Sequence, residues 1–152
     1  MLINYIKKYL SNEDLNQLQA LITNIENETS GEIRLCFRLK RNFRERKISP
    51  RDVAIADFFE LGMHNTKHGT GILVYILFKE KLFEIVADKN IYEKIEKSKF
   101  DFIVQAMSLN FKNKNYIAGI AHCLNEIGDV MRKEFPRKPD DVNELPDDII
   151  IK

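Results

Sequence analysis

The sequence predicts an α/β domain, a three-layer sandwich with a small mixed sheet flanked by helices. Three observations carry that prediction. A strand-like alternation over residues 33–39 is followed by a capped helical segment and then by an apolar run over 71–78; strand, helix, strand in that order implies a right-handed crossover that sets the two strands parallel. A second run, 82–87, follows Lys79-Glu80-Lys81 closely enough to close a hairpin and adds a strand in the opposite sense. Long amphipathic segments stand before and after these strands and supply the covering layers.

The elements follow in chain order. Ser11 is placed to cap a helix whose Leu15, Leu18, Ile22 and Ile25 recur at helical spacing with Asp14 in the first turn; it is expected to run to about Glu28, with Ile3 and Ile6 marking a turn ahead of it. Thr29-Ser30-Gly31 breaks the pattern. Ile33, Leu35, Phe37 and Leu39 then alternate with Arg34, Cys36, Arg38 and Lys40, the signature of a strand with one polar face. Ser49-Pro50 opens the next helix, with Val53, Ala56 and Phe59 as its apolar face and Gly62 as its stop. After the hairpin, residues 92–111 read as helical with an interruption near Ser98, and Phe100, Ile103, Val104, Met107 and Phe111 share a face. Residues 116–134 carry the clearest stripe: Ile117, Ile120, Ala121, Leu124, Ile127, Gly128 and Met131. Residues 1–136 are therefore read as a single domain. Residues 137–152 form an acidic, proline-punctuated tail expected to pack on or near it through Val142, Leu145 and Ile149-Ile150-Ile151.

Composition narrows the class. A chain of 152 residues, 44% hydrophobic and 31% charged, fits one globular domain. Its 24 basic and 23 acidic side chains leave a formal charge of +1, so whole-chain electrostatics predict no general affinity for nucleic acid or anionic membrane. Uncharged stretches reach only eleven residues, against about 18 for a membrane helix, and Lys7 interrupts the apolar start too early for a secretory signal. A cytoplasmic protein without membrane insertion is expected. Cys36 and Cys123 form no CxxC pair and read as reduced packing residues.

Several segments in order and spacing resemble a known family. They are Ile25-Glu26-Asn27-Glu28-Thr29-Ser30-Gly31-Glu32-Ile33-Arg34, then Ala56-Asp57-Phe58-Phe59-Glu60-Leu61-Gly62-Met63-His64-Asn65-Thr66, and the hairpin Gly71-Ile72-Leu73-Val74-Tyr75 with Phe83-Glu84-Ile85-Val86-Ala87-Asp88-Lys89-Asn90-Ile91. Phe111-Lys112, Tyr116-Ile117-Ala118-Gly119-Ile120, Phe135-Pro136 and Asn143-Glu144-Leu145-Pro146-Asp147-Asp148-Ile149 continue the match over roughly residues 20–150. Together they resemble the TPM domain, the family founded on a thylakoid acid phosphatase, a photosystem II repair protein and a modulator of acetylcholine receptors, in its soluble bacterial branch. The resemblance implies an α/β sandwich, divalent-cation binding as in some members, and weak acid phosphatase activity as in a few. The chain departs from the pattern at Lys67-His68-Gly69, where many relatives read Asp or Arg, then Asn, then Gly, and at Asn90, where a glycine is usual.

In the hairpin, residues whose numbers sum to about 160 face each other, which sets Asp88 opposite Ile72 and near Gly69 and Gly71, while Glu32 starts the parallel strand on the same edge. Asp88, Glu32 and His68, with His64 nearby, are the candidate metal ligands; the oxygens favour Ca2+ or Mg2+, with Zn2+ ranked below them, and strand-end carboxylates are also common without metal. Gly69-Thr70-Gly71 precedes a strand rather than a helix and is a poor phosphate cradle. No triad order is present and both cysteines sit mid-element, so phosphate-ester hydrolysis would go through metal-activated water. Residues 38–51 carry a local charge of +6 and one aromatic, Phe43. Lacking stacking residues for nucleic acid, Arg38, Arg41, Arg44 and Arg46 are candidates for an unknown anionic protein partner, or for a solvated loop masked by the acidic tail. The expected function is a non-catalytic regulatory or protein-interaction module that binds a divalent cation; the alternative is a weak metal-dependent acid phosphatase.

Overall fold

The computed structural model describes residues 2–152, with side chains from residue 4 onward, so the expectation for the Ile3 side chain lies outside the described residues. Helix α1 (Asn12–Glu26) begins with a reciprocal cap: Ser11 Oγ accepts the Asp14 amide and the Asp14 carboxylate accepts the Ser11 amide. A 3-10 turn at Leu2–Lys8 precedes it and buries Ile6. Strand β1 (Glu32–Arg38) leads to α2 (Pro50–Glu60), which opens with Ser49 as cap and Pro50 in its first turn and is left through Gly62 at φ 71°, a conformation that costs glycine little. Strands β2 (Gly71–Leu77) and β3 (Leu82–Ala87) form the hairpin. Short α3 (Lys89–Tyr92), then α4 (Lys97–Lys112) and α5 (Tyr116–Glu134) follow; the interruption falls just ahead of Ser98. A two-residue strand, β4 (Ile150–Ile151), ends the fold.

The sheet order is β3-β2-β1-β4. Strand β1 runs parallel to β2, from Glu32 beside Gly71 to Arg38 beside Leu77, and β3 is antiparallel with Ile72 opposite Ala87. On one face Ile33, Leu35, Phe37, Ile72, Val74, Ile76 and Ile85 pack against residues of α1, α4 and α5. On the other, Cys36, Leu73, Tyr75, Leu77 and Val86 pack against Val53, Ala54 and Phe58 of α2 and against Leu145 of the tail. Helices on both faces of a mixed sheet make the three-layer α/β sandwich.

Four details differ from the sequence reading. The second face of β1 is not polar in the sense of being solvated: Arg34 and Cys36 are buried because α2 and the tail cover them. The buried face of α2 is Val53, Ala54, Asp57 and Phe58, one step round from Val53, Ala56 and Phe59, which turns a carboxylate inward. Val104 is 42% exposed, so the packed face of α4 is Ile103, Met107 and Phe111 with Phe100 beside them. The apolar end of the tail is a strand as well as an anchor: Ile150 and Ile151 pair in parallel with Cys36 and Phe37.

Gly71 opens β2 where the exit from α2 crosses it, and an added Cβ would overlap the Met63 carbonyl. Because that obstacle is backbone, Gly71→Ala is expected to cost about 1–3 kcal/mol in denaturant unfolding; an unchanged midpoint would show that the crossing is loose.

Candidate metal centre

The connection between α1 and β1 places two glutamates in one corner. Glu26 continues the Leu18 and Ile22 stripe on the last turn of α1 and is 4% exposed; Glu32, the first residue of β1, is 3% exposed. Thr29 fixes the turn between them, its hydroxyl donating to the Phe135 carbonyl at 2.6 Å. One oxygen of each glutamate is paired: Glu26 Oε1 accepts the Ile33 amide at 2.7 Å, and Glu32 Oε1 accepts the Glu144 amide of the tail at 2.7 Å. The second oxygen of each, Oε2, is buried without a donor. Asp147 completes the group, and one ligand atom from each of Glu26, Glu32 and Asp147 lies within 4.8 Å of the other two.

Among the described residues no Lys or Arg forms an ion pair with any of the three. Arg34 donates to the Asp148 carbonyl at 3.5 Å and Arg137 to the Glu26 carbonyl at 2.9 Å, both backbone oxygens. Uncompensated burial therefore penalises ionisation. Burial, then pairing with Asp147, pushes the Glu26 carboxyl up to about 10; burial pushes Glu32 up to about 7 against the Glu144 amide, which favours its ionised form. The two buried glutamates call for a shared proton or a cation; Asp147 beside them is half-buried, and its Oδ1 accepts the Asn143 side-chain amide at 2.8 Å. The donors are all hard oxygens, and their span is one that Ca2+ bonds of about 2.3–2.6 Å can bridge, with carbonyls or water completing the shell.

The residues read from sequence are divided. The Asp88 amide bonds the Gly71 carbonyl, which sits beside Glu32 in the register, so the backbone shares the expected edge. The side chains part company there. Asp88 Oδ1 caps α3 by accepting the Lys89 amide, while the Glu32 carboxyl turns to Glu26 and the tail. Asn90 donates its amide to the His68 carbonyl, so the two departures from the family pattern are bonded to each other. His64 is exposed, its ring 4.9 Å from that of Phe59. Glu26 and Asp147 escaped sequence reasoning. Glu26 carried a usable signal, a carboxylate four residues after Ile22 on the apolar stripe; Asp147 carried none, because its position depends on the path of the tail.

Three arginines of the basic run are paired with glutamates, one of them within the run. Arg38 grips Glu45 at 2.5 and 2.8 Å and the Tyr75 hydroxyl at 2.9 Å, Arg41 grips Glu80 at 2.7 Å, and Arg51 reaches Glu84 at 3.3 Å. Arg44 and Arg46 are exposed. Among the described ion pairs none joins a tail carboxylate to this run, so the tail does not mask it: nearby glutamates hold Arg38, Arg41 and Arg51 instead. Both thiols are buried, and burial pushes each up to about 12, far from a nucleophile at neutral pH.

The carboxyls set a pH profile. For Glu26 and Glu32 the folded values lie above 4.5, so without cation stability falls as pH rises from there, through about 7 for Glu32 and about 10 for Glu26. Glu45 acts oppositely: the Arg38 fork holds it down to about 2, so its contribution is present above 4.5 and is lost as pH falls toward 2. Thermal unfolding in EDTA is expected to peak near pH ~5, and Glu26→Gln to stabilise by about 1–3 kcal/mol at pH ~8 while changing little at pH ~5. Equal effects at both pH values would mean that Glu26 is ionised in the fold.

Comparisons with known proteins agree with this architecture. The chain matches the TPM domain over residues 4–130. It is similar to the BA42 protein of the psychrophilic bacterium Bizionia argentinensis, whose NMR structure superposes with a TM-score of 0.84 at 33% identity, covering 97% of this chain and 98% of that one. The N-terminal domain of the cg2496 protein of Corynebacterium glutamicum, also solved by NMR, shares the fold at TM-score 0.60 and 13% identity, covering 80% of this chain and 74% of that one. No curated protein sequence matches the chain. No described helix is long and apolar enough to cross a membrane. With the family match covering most of its length and a full-length relative at 33% identity, the chain belongs to the TPM domain family.

Proposed function

We propose that this chain is a non-catalytic regulatory or protein-interaction module that binds a divalent cation, Ca2+ or Mg2+, through Glu26, Glu32 and Asp147. The observation that carries this reading is the pair of buried Oε2 oxygens, one on each glutamate, that have no donor. A cation there would supply the missing positive charge and would tie residues 137–152 to the domain, because Asp147 and the Glu32-bonded amide of Glu144 both belong to the tail. Zn2+ suits the site less, since no His or Cys joins the group. Glu32 is shared with the strand-end set of Asp88, Glu32 and His68; the capping bond of Asp88 and the exposure of His68 give that pair a weaker hold.

The basic loop supports the interaction half of the reading. Arg38 and Arg41 shape it from within, leaving Arg44 and Arg46 to meet an acidic protein partner, next to Phe43, 79% exposed, and Ile48. The free cysteines fit a cytoplasmic setting. The second reading, a weak metal-dependent acid phosphatase, asks for an ion open to substrate. Burial of Glu26 and Glu32 beneath the tail favours a closed, conformational site instead.

Thermal unfolding with Ca2+, Mg2+ or Zn2+ against EDTA, alongside hydrolysis of an aryl phosphate, tests both readings. Ca2+ at a hundredfold excess over Kd is expected to stabilise by about 2.7 kcal/mol. Glu32→Gln and Asp147→Asn should lose the response, Asp88→Ala should keep it, and no metal-dependent phosphate release should appear. A wild-type chain indifferent to every ion would sink the cation reading. Metal-dependent turnover lost in Glu32→Gln would establish the enzyme.

A further inference from the structure

The outer edge of β1 is covered by a segment held mainly through its backbone. Gln19 of α1 donates to the Asp147 carbonyl at 2.7 Å and accepts the Ile149 amide at 3.2 Å, as a neighbouring strand would. Arg34 donates to the Asp148 carbonyl, and the Lys152 amide donates to the Phe37 carbonyl at 2.8 Å. These contacts read an extended chain, whatever its side chains. Selectivity comes from three further features: Ile149 and Ile151 pack on the core of one sheet face, Ile150 packs on the other, and the Lys152 ammonium meets Asp57 Oδ1 at 3.1 Å and Glu60 at 4.0 Å. Asp57 itself is buried, and its Oδ2 has no hydrogen-bond donor, the Arg38 guanidinium standing 3.9 Å away. The Lys152 side chain lines a cavity of about 440 Å³ together with Arg38, Lys40, Arg41, Glu45, Asp57 and Glu60.

Two features make this occupant replaceable. Strand β4 pairs at only two positions with a seven-residue strand, and Ile149, Ile150 and Ile151 are only half-buried. An open strand edge is a template for another chain, and peptides that add to a sheet gain affinity from the main chain and specificity from alternate pockets. Charge sets the chemistry at the far end, where the carboxylates of Asp57 and Glu60 call for a cation.

We infer that the outer edge of β1 is a docking slot for an extended segment of a partner protein, entering parallel to β1 with consecutive apolar residues followed by Lys or Arg, and that residues 147–152 occupy it in cis. The partner gains the Gln19, Arg34 and Phe37 backbone bonds and the Asp57 ion pair by displacing the tail. This inference shares Asp147 with the proposed cation site, and displacing the tail would withdraw that ligand, but the edge contacts do not require an ion. Its test is run in EDTA, so failure of one leaves the other intact.

The probe is a dye-labelled peptide, Asp-Asp-Ile-Ile-Ile-Lys, followed by fluorescence anisotropy against the 152-residue chain and its Ile150→Ser, Lys152→Ser variant. The variant is expected to bind the probe at least tenfold more tightly than the wild type, because its own segment competes poorly. A probe ending in Glu should bind the variant at least tenfold more weakly, and adding Asp57→Asn should remove that discrimination. Equal affinity for the two chains, or no binding by a variant with wild-type circular dichroism, overturns the inference. Concentration-dependent dimers of the variant without probe binding also overturn it, in favour of strand exchange between copies. If the variant does not fold, amide exchange in the wild type decides: Ile150 and Lys152, whose amides face β1, exchanging at least a hundredfold faster than Leu73 and Val74 supports a displaceable strand, and equal protection overturns it.

Discussion

Two backbone amides on opposite sides of one corner constrain everything around it. The Ile33 amide holds one oxygen of Glu26, the Glu144 amide holds one oxygen of Glu32, and the remaining oxygens are left buried beside Asp147 without a donor. One amide belongs to the strand at the centre of the parallel pair and the other to the tail, so the electrostatics of this corner and the position of the tail are a single problem. Whatever neutralises the carboxyls also decides how firmly residues 144–147 are held. Desolvated carboxylates cannot all stay charged together without a partner.

This constraint also separates conformational roles from catalytic ones. A catalytic ion keeps a position open to substrate, whereas a closed ion contributes to folding. Here both glutamates lie almost wholly beneath protein, and the tail forms part of the cover. The same tail then runs up the outer edge of β1 to Lys152, so one segment covers the carboxyl corner at the start of the strand and the Asp57 corner at its end. On the proposed reading, a local change in charge at the first corner would bear on exposure of the strand edge. The basic loop between β1 and α2, with Arg44 and Arg46 outward, lies at the second of these ends.

Hydrophobic periodicity made most of the fold legible. The alternation in β1, the hairpin strands and the stripe of α5 all follow from burial on a sheet or helix face and appear where their residues predict. The hairpin register is one residue off: Ala87, not Asp88, faces Ile72, and one step moves a side chain to the other face. The site was less legible for physical reasons. The buried face of α2 lies one step from the pattern Val53, Ala56, Phe59, which concealed Asp57 as an interior carboxylate. Ile149-Ile150-Ile151 announced burial, yet a two-residue strand is created by the neighbouring edge rather than by its own propensity. Glu32 was reached through the strand register, but its partners were assigned across the sheet, toward Asp88, when the side chain turns back toward α1. Glu26 stood on an apolar stripe where a carboxylate is out of place, and that misfit was the available clue.

The central claim is that a single neutralising occupant, proton or cation, sits among Glu26, Glu32 and Asp147. Carbon-13 NMR of the side-chain carboxyls tests it most directly, with the chain near pH ~7 first in EDTA and then with Ca2+. The account predicts a Glu26 carboxyl resonance at its protonated position in EDTA, moving to the ionised position as Ca2+ binds, with proton release in step with occupancy. A Glu26 carboxyl already ionised in EDTA and unmoved by Ca2+ would contradict it.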